Sequence, residues 1–283
     1  MEKANHSVAT LCRVLEVSRS GFYAWQTRPP SAHRVRDVQL ARLIEHAHAR
    51  SRGIYGAPRI HAELLWQGEA VSRKRVARIM RERGLCGLSP RRRAITTTTV
   101  AHLPAPPDLV ARTFAAEGPD LLWVGDLTYV RTWQGWLYLA VLVDVWSRRV
   151  VGWAAADHLR TELALEALEM ALATRHPEPG LLIHHTDRGS QYLAQRYERR
   201  LRQAGIRAST GRVGTALDNA LAESFIGTLK TELIGRRGWP TRHEAIDAIA
   251  DYISFYNHDR RHSALGYYSP NDFETSGRTR SAA

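Results

Sequence analysis

Cysteine is nearly missing from this chain. Cys12 and Cys86 are the only two in 283 residues, and they lie in unrelated local patterns. That excludes a disulfide framework and fits a reducing compartment. No Cys/His cluster has zinc-ligand spacing. His184 and His185 are adjacent, so in a strand they point to opposite faces. Long apolar runs are missing too. The longest, "WLYLAVLV" at 136–143, is far too short to span a bilayer. The N-terminus lacks the apolar stretch of a signal peptide. The expected location is the cytoplasm, with no membrane partner. Apart from "TTTT" at 96–99 there is no low-complexity tract, and no internal repeat.

Acidic residues are scarce in one half only. Residues 1–119 carry 20 Lys+Arg against 9 Asp+Glu, whereas 120–283 carry 20 against 19; the whole chain is at +12. This predicts a polyanion-binding arm on an ordinary globular domain, with 118–283 able to fold without the arm. Two helix-turn-helix patterns fill the basic half. In 7–25, Ser7 caps a first helix with Val8, Leu11 and Leu15 inward, and Ser18 opens a second that ends near Trp25. In 53–85, one helix starts near Pro58 and stops at Gly68. The next runs from Ser72 to Gly84 with Val76, Ile79 and Met80 inward. Arg73, Lys74, Arg75, Arg78, Arg81 and Arg83 cover the rest of that helix and suit phosphates or a major groove. The expected boundaries are 1–30 and 38–88 for the helical units and 89–117 for a linker containing Arg91, Arg92 and Arg93. A core at 118–275 and a flexible tail at 276–283 complete the division.

From 120 the pattern becomes α/β. Strands are expected at 121–130, 135–146 and 148–156, joined by short links that favour antiparallel neighbours. There follow a helix at 161–173 with Leu165, Leu168 and Leu172 inward, a strand at 180–187, and a helix at 190–205 capped by Ser190. A strand at 206–210, a helix at 215–233 and a helix at 242–257 complete a mixed five-stranded α/β sheet.

Three carboxylates stand out. Asp126 interrupts an apolar strand, which is costly unless something pairs with it. Asp187 ends a strand, where sites are commonly built. Glu223 lies on a helix whose Leu221, Phe225, Leu229 and Leu233 form an apolar stripe, while Asn219, Glu223, Gly227 and Lys230 share the opposite face. Oxygen ligands without soft partners suit Mg²⁺ or Mn²⁺, and two such ions serve phosphoryl transfer. Asp144, another strand carboxylate, is expected to be structural and paired with Arg148 or Arg149.

The words around these residues are "WVGDLTYV", "LVDVWSRRVVGW", "HTDRGSQY", "DNALAESFIGTLKTEL" and "YNHDRRHSALGYYSP", and 35 residues separate Asp187 from Glu223. Together they resemble the second-frame transposases of the IS3 family of bacterial insertion sequences, along nearly the whole chain. The resemblance implies an RNase H-like integrase core with Asp126, Asp187 and Glu223 as catalytic metal ligands for about two ions. It implies DNA contacts at Lys230, Asn219 and Arg188, beside Arg73, Lys74, Arg75 and Arg78. It also implies cutting and joining of DNA at the element's terminal repeats and into target DNA, by a homo-oligomer. A fusion with an upstream first-frame protein is a further implication; this chain has no leucine heptad of the kind that part carries. The rival readings are a nuclease of the same fold that does not join, and a DNA-binding regulator without chemistry.

Overall fold

The computed structural model describes residues 6–89, 106–110, 115–211 and 220–281. Asn219, the arginine triplet, the threonine run and most of the expected linker lie outside them.

The basic half is helical. Helices α1 (Val8–Val14) and α2 (Arg19–Thr27) are capped by Ser7 and Ser18, as their sequence predicts. Their burial is slighter than expected. Cys12 is the buried residue of the pair, whereas Leu15, just past the end of α1, is 68% exposed. The long α3 (Ala32–Arg50) was not anticipated and begins before residue 38. Next come α4 (Ala57–Trp66) and α5 (Arg73–Glu82), where the local punctuation is followed closely. Pro58 lies in the first turn of α4 and Ser72 caps α5. Gly68 and Gly84 end the two helices at φ +81° and +66°. Val76, Ile79 and Met80 are buried, packed with Leu40 and Ile44 of α3.

The other half is built on a five-stranded sheet in the order β3-β2-β1-β4-β5. Strands β1 (Leu122–Thr132), β2 (Gly135–Asp144) and β3 (Val150–Ala156) form an antiparallel meander. Strands β4 (Ile183–Thr186) and β5 (Arg207–Thr210) continue parallel to β1. This is the mixed sheet of an RNase H-like fold. Helix α6 (Thr161–Arg175) crosses one face and buries Leu163, Ala164, Ala167, Leu168 and Ala171, leaving Leu165 and Leu172 only partly covered. The alanine face turns down because α6 lies against bare backbone. A Cβ on Gly152 would stand 2.2 Å from the Ala167 carbonyl oxygen. Helix α7 (Gln195–Gln203) starts five residues later than expected and Ser190 does not cap it. Tyr192 and Leu193 first turn inward, both amides bonding to the Gly189 carbonyl. Helices α8 (Ala220–Glu232) and α9 (Arg242–His258) cover the opposite face. A last helix, α10 (Pro270–Ser281), occupies the stretch expected to be a flexible tail.

The α3–α5 part of the basic half is not a separate arm. Ile54, Tyr55, Ile60 and Leu64 belong to the same apolar cluster as Val124, Phe225 and Tyr252. Arg52 bonds Asp251 at 2.8 Å, Arg261 bonds Glu63 at 2.9 Å, and the Arg261 amide donates to the Tyr55 hydroxyl. Between the two halves lies buried Glu232, which accepts from Arg260 at 2.6 Å and from the Tyr252 hydroxyl at 2.7 Å. Arg59 of α4 stands 3.8 Å away.

Candidate active site

Strand register brings the first two carboxylates together. Leu122 to Gly125 pair in parallel with Ile183 to Thr186. The next position on each strand is Asp126 and Asp187. Adjacent parallel strands lie about 4.8 Å apart, so two carboxylates start from neighbouring backbone positions at the end of β4. Gly125 permits this, since a Cβ there would come within 2.9 Å of the His184 ring. Asp126 shares its sheet face with Val124 and Val130, on which Leu221, Phe225 and Leu229 of α8 pack. Glu223 lies in the first turn of α8, and its charge acts on both Asp126 and Asp187.

Electrostatics report the proximity. Burial first, then the Asp187 charge, then Glu223, push the Asp126 carboxyl up to about 7; the Leu127 amide and Lys230 act in the opposite direction. Burial raises Asp187, against the Gly189 amide that bonds its Oδ1 at 3.0 Å. Glu223 is raised by burial and by Asp187. Among the described residues no three His, Cys, Asp or Glu side chains close into a metal-holding group. The Asp126 carboxylate bends back, accepting from the Leu127 amide at 2.7 Å. The donor set nonetheless suits a hard divalent cation, because all three candidate ligands are carboxylates.

Around the carboxylates the polar face of α8 is open. Glu223 and Gly227 are exposed, and a Cβ on Gly227 would meet nothing within 4 Å. Lys230, half-buried, lies over the Tyr129 ring at 5.4 Å. Tyr192 is a residue the sequence reading passed over. It is 4% exposed, its hydroxyl has no hydrogen-bond partner among the described residues, and burial, Tyr197, Asp126 and Asp187 all hold it protonated. A tyrosine three residues before a helix carries no local signal of such placement.

Several expected contacts are engaged elsewhere. The Arg188 Nε donates to the Gly211 carbonyl at 3.0 Å. Arg75 and Arg78 both grip Asp37 of α3 at 2.7 Å, whereas Arg73 and Lys74 stay exposed. Asp144 is structural but not through an arginine. It accepts from the Ser147 amide and hydroxyl and from the Asp120 amide, while Arg149 pairs with Glu274. His184 and His185 share hydrogen bonds with Tyr197 and Ser209, each at 2.8 Å.

Comparison with known proteins covers both halves. An integrase core domain model matches residues 116–216, a second one 204–270, and an HTH-like domain model 35–93. The 31 kDa protein of insertion element IS600 from Shigella sonnei is 44% identical over 264 residues, 93% of this chain and 97% of its own length. The transposase for insertion sequence element IS629 from Shigella sonnei is 38% identical, covering 96% and 93%. Transposase InsF for insertion sequence IS3A from Escherichia coli K12 is 39% identical, covering 96% and 95%. In three dimensions a chain of the simian T-cell lymphotropic virus intasome superposes with a TM-score of 0.50 at 16% identity. That match covers 80% of this chain and 72% of the other, a likeness of fold.

Proposed function

Since this chain belongs to the IS3 family of insertion-sequence transposases, we propose that Asp126, Asp187 and Glu223 are its catalytic carboxylates and hold two Mg²⁺ or Mn²⁺ ions. The protein is a DDE-type polynucleotidyl transferase acting in DNA transposition. The observation that supports the site assignment is the register that sets Asp187 beside Asp126, with the Glu223 charge acting on both. Bound divalent ions would activate the attacking oxygen and stabilise the leaving one. The residues orient an in-line displacement at phosphorus. In cleavage a water oxygen bonds to phosphorus, the P–O3′ bond breaks, and a 3′-hydroxyl leaves. In joining, that 3′-hydroxyl bonds to a target phosphorus and the target's own 3′-oxygen leaves. No covalent protein–DNA bond forms, so no serine or tyrosine nucleophile is required.

The same proposal gives end recognition to the helical units within 1–30 and 38–88 and the chemistry to 118–275. Exposed Arg73 and Lys74 would touch phosphates, and Lys230 would touch DNA near the carboxylates. Terminal repeats, target DNA, further copies of this chain and an upstream first-frame product are the proposed partners, in the cytoplasm. No described helix is long and apolar enough to cross a membrane.

The test is a strand-transfer assay with labelled element-end DNA. Asp126→Asn, Asp187→Asn and Glu223→Gln are each expected to abolish cut and joined products while DNA binding persists. Single losses should match the triple loss, as for groups acting as one unit. Near wild-type joining by Glu223→Gln would overturn the assignment. Cut product without joining would favour a plain nuclease.

A further inference from the structure

The β1–β2 hairpin carries aromatic surface that the core does not use. Trp133 at its tip is 79% exposed, Tyr129 56% and Trp136 46%. Exposed tryptophans at this density mark a contact surface. Tyr129 and Trp136 meet edge to face with centroids 5.0 Å apart, and Lys230 covers the Tyr129 ring. The hairpin is braced. The Trp133 amide donates to the Trp239 carbonyl at 2.9 Å, and Arg242 donates to the Trp136 carbonyl at 3.1 Å.

The charges select the occupant. Between Leu127 and Tyr138 there is no Asp or Glu, and none between Leu233 and His243 in the bracing segment. Arg131 is the cross-strand neighbour of Trp136, Lys230 lies over Tyr129, Arg242 bonds the Trp136 carbonyl, and Arg237 covers Trp239 in the bracing segment. A second copy docking here would bring like charges together. Nucleic acid brings phosphates for the cations and base faces for the rings. Tyr129 follows Asp126 by three residues on one strand, about 10 Å along it but on the other face. Lys230 links the two places, lying 5.4 Å from the Tyr129 ring while its charge acts on Asp126, within a few nucleotides of a phosphate held at the carboxylates.

We propose that this hairpin is a stacking platform for unpaired bases of the DNA strand whose phosphate lies at the carboxylates. The proposal rests on the active-site reading above. It adds that the enzyme binds ends whose last base pairs have opened more tightly than fully paired ends. Cross-strand aromatic pairing would account for Tyr129 and Trp136, but not for Trp133, which has no aromatic partner among the described residues and lies beside Gly238 of the bracing segment.

The experiment uses the full chain without divalent metal, so binding is read apart from chemistry. Labelled element-end duplexes, fully paired or with three unpaired terminal nucleotides, are titrated and followed by anisotropy. The wild type is expected to prefer the unpaired end. Trp133→Ala with Trp136→Ala should remove that preference, with a loss of about 5- to 150-fold per stacked base. Phe at both positions should restore most of it. A 2-aminopurine at an unpaired position should be quenched by the wild type, a readout that stands even if the alanine variant does not fold. Equal affinity for both ends, no quenching, or a variant that changes only the sedimentation of the free protein would overturn the platform. Failure of the catalytic reading would appear instead as triad variants that still cut.

Discussion

Asp126 and Asp187 occupy the same register step, one position past the last paired residues of two adjacent parallel strands. Their backbone positions are thereby set side by side by strand pairing rather than by any attraction between the carboxylates, and the Asp187 charge acts on Asp126. Folding works against their repulsion, and a divalent cation would relieve it.

This has a pH signature. The Asp126 carboxyl is pushed up to about 7 from 3.8. The folded protein therefore binds the proton more tightly than the unfolded chain, so metal-free stability falls as pH rises from about 4 to about 7. Asp126→Asn should raise the metal-free melting temperature by at least about 2 °C near pH 8, with no gain near pH 4. Mg²⁺ should raise the wild-type midpoint and leave the variant unmoved. A lower midpoint for Asp126→Asn near pH 8 would refute this account.

Asp144 should behave as a structural acid. Burial raises it to about 6, against its three hydrogen bonds. In Asp144→Asn an amide NH₂ must face either the Ser147 donors or the Asp120 amide, at a cost of about 1–3 kcal/mol. The sign of the shift makes wild-type Asp144 lose favour as pH rises from 3.8 to about 6. Urea unfolding should therefore show a larger cost of the substitution near pH 4 than near pH 7. Cleavage per folded molecule should be unchanged.

The helical half should be needed for stability. Arg260 is 4% exposed and clamps Glu232 at the end of α8. Arg260→Ala should cost about 3–5 kcal/mol by leaving Glu232 buried and poorly paired. Residues 118–283 alone lack Arg59, Tyr55 and the apolar side chains of α3 and α4. They should melt below the full chain by calorimetry, and an equal midpoint would show that the two halves fold independently.

The cations of α5 should divide into two pairs. Arg73→Ala and Lys74→Ala should each flatten the dependence of log K on log salt by about 0.9 if each meets one phosphate. Arg75→Ala should instead loosen α5 from α3, because Arg75 is tied to Asp37. An unchanged slope for the first pair would remove this helix from the DNA interface.

Where the information was local, the sequence alone determined the outcome. Pro58, Gly68, Ser72 and Gly84 act on their own backbone, so α4 and α5 were legible to within a residue or two. Asp126 and Glu223 were recognisable because a carboxylate in an apolar strand and a polar stripe on a helix break a local period. Tertiary structure decided what depends on the neighbour across space. A cation-rich helix looks the same whether its arginines face phosphate or an aspartate 38 positions earlier, and packing of α3 gave Arg75 to Asp37. Asp144 found amides rather than Arg149 because its own turn presents the Ser147 N–H and O–H to one buried oxygen and the segment before β1 presents the Asp120 N–H to the other. Tyr192, Gly227 and the exposed hairpin follow the same rule. Their burial or openness is set by which segments fold over them, and periodicity along one segment carries no record of that.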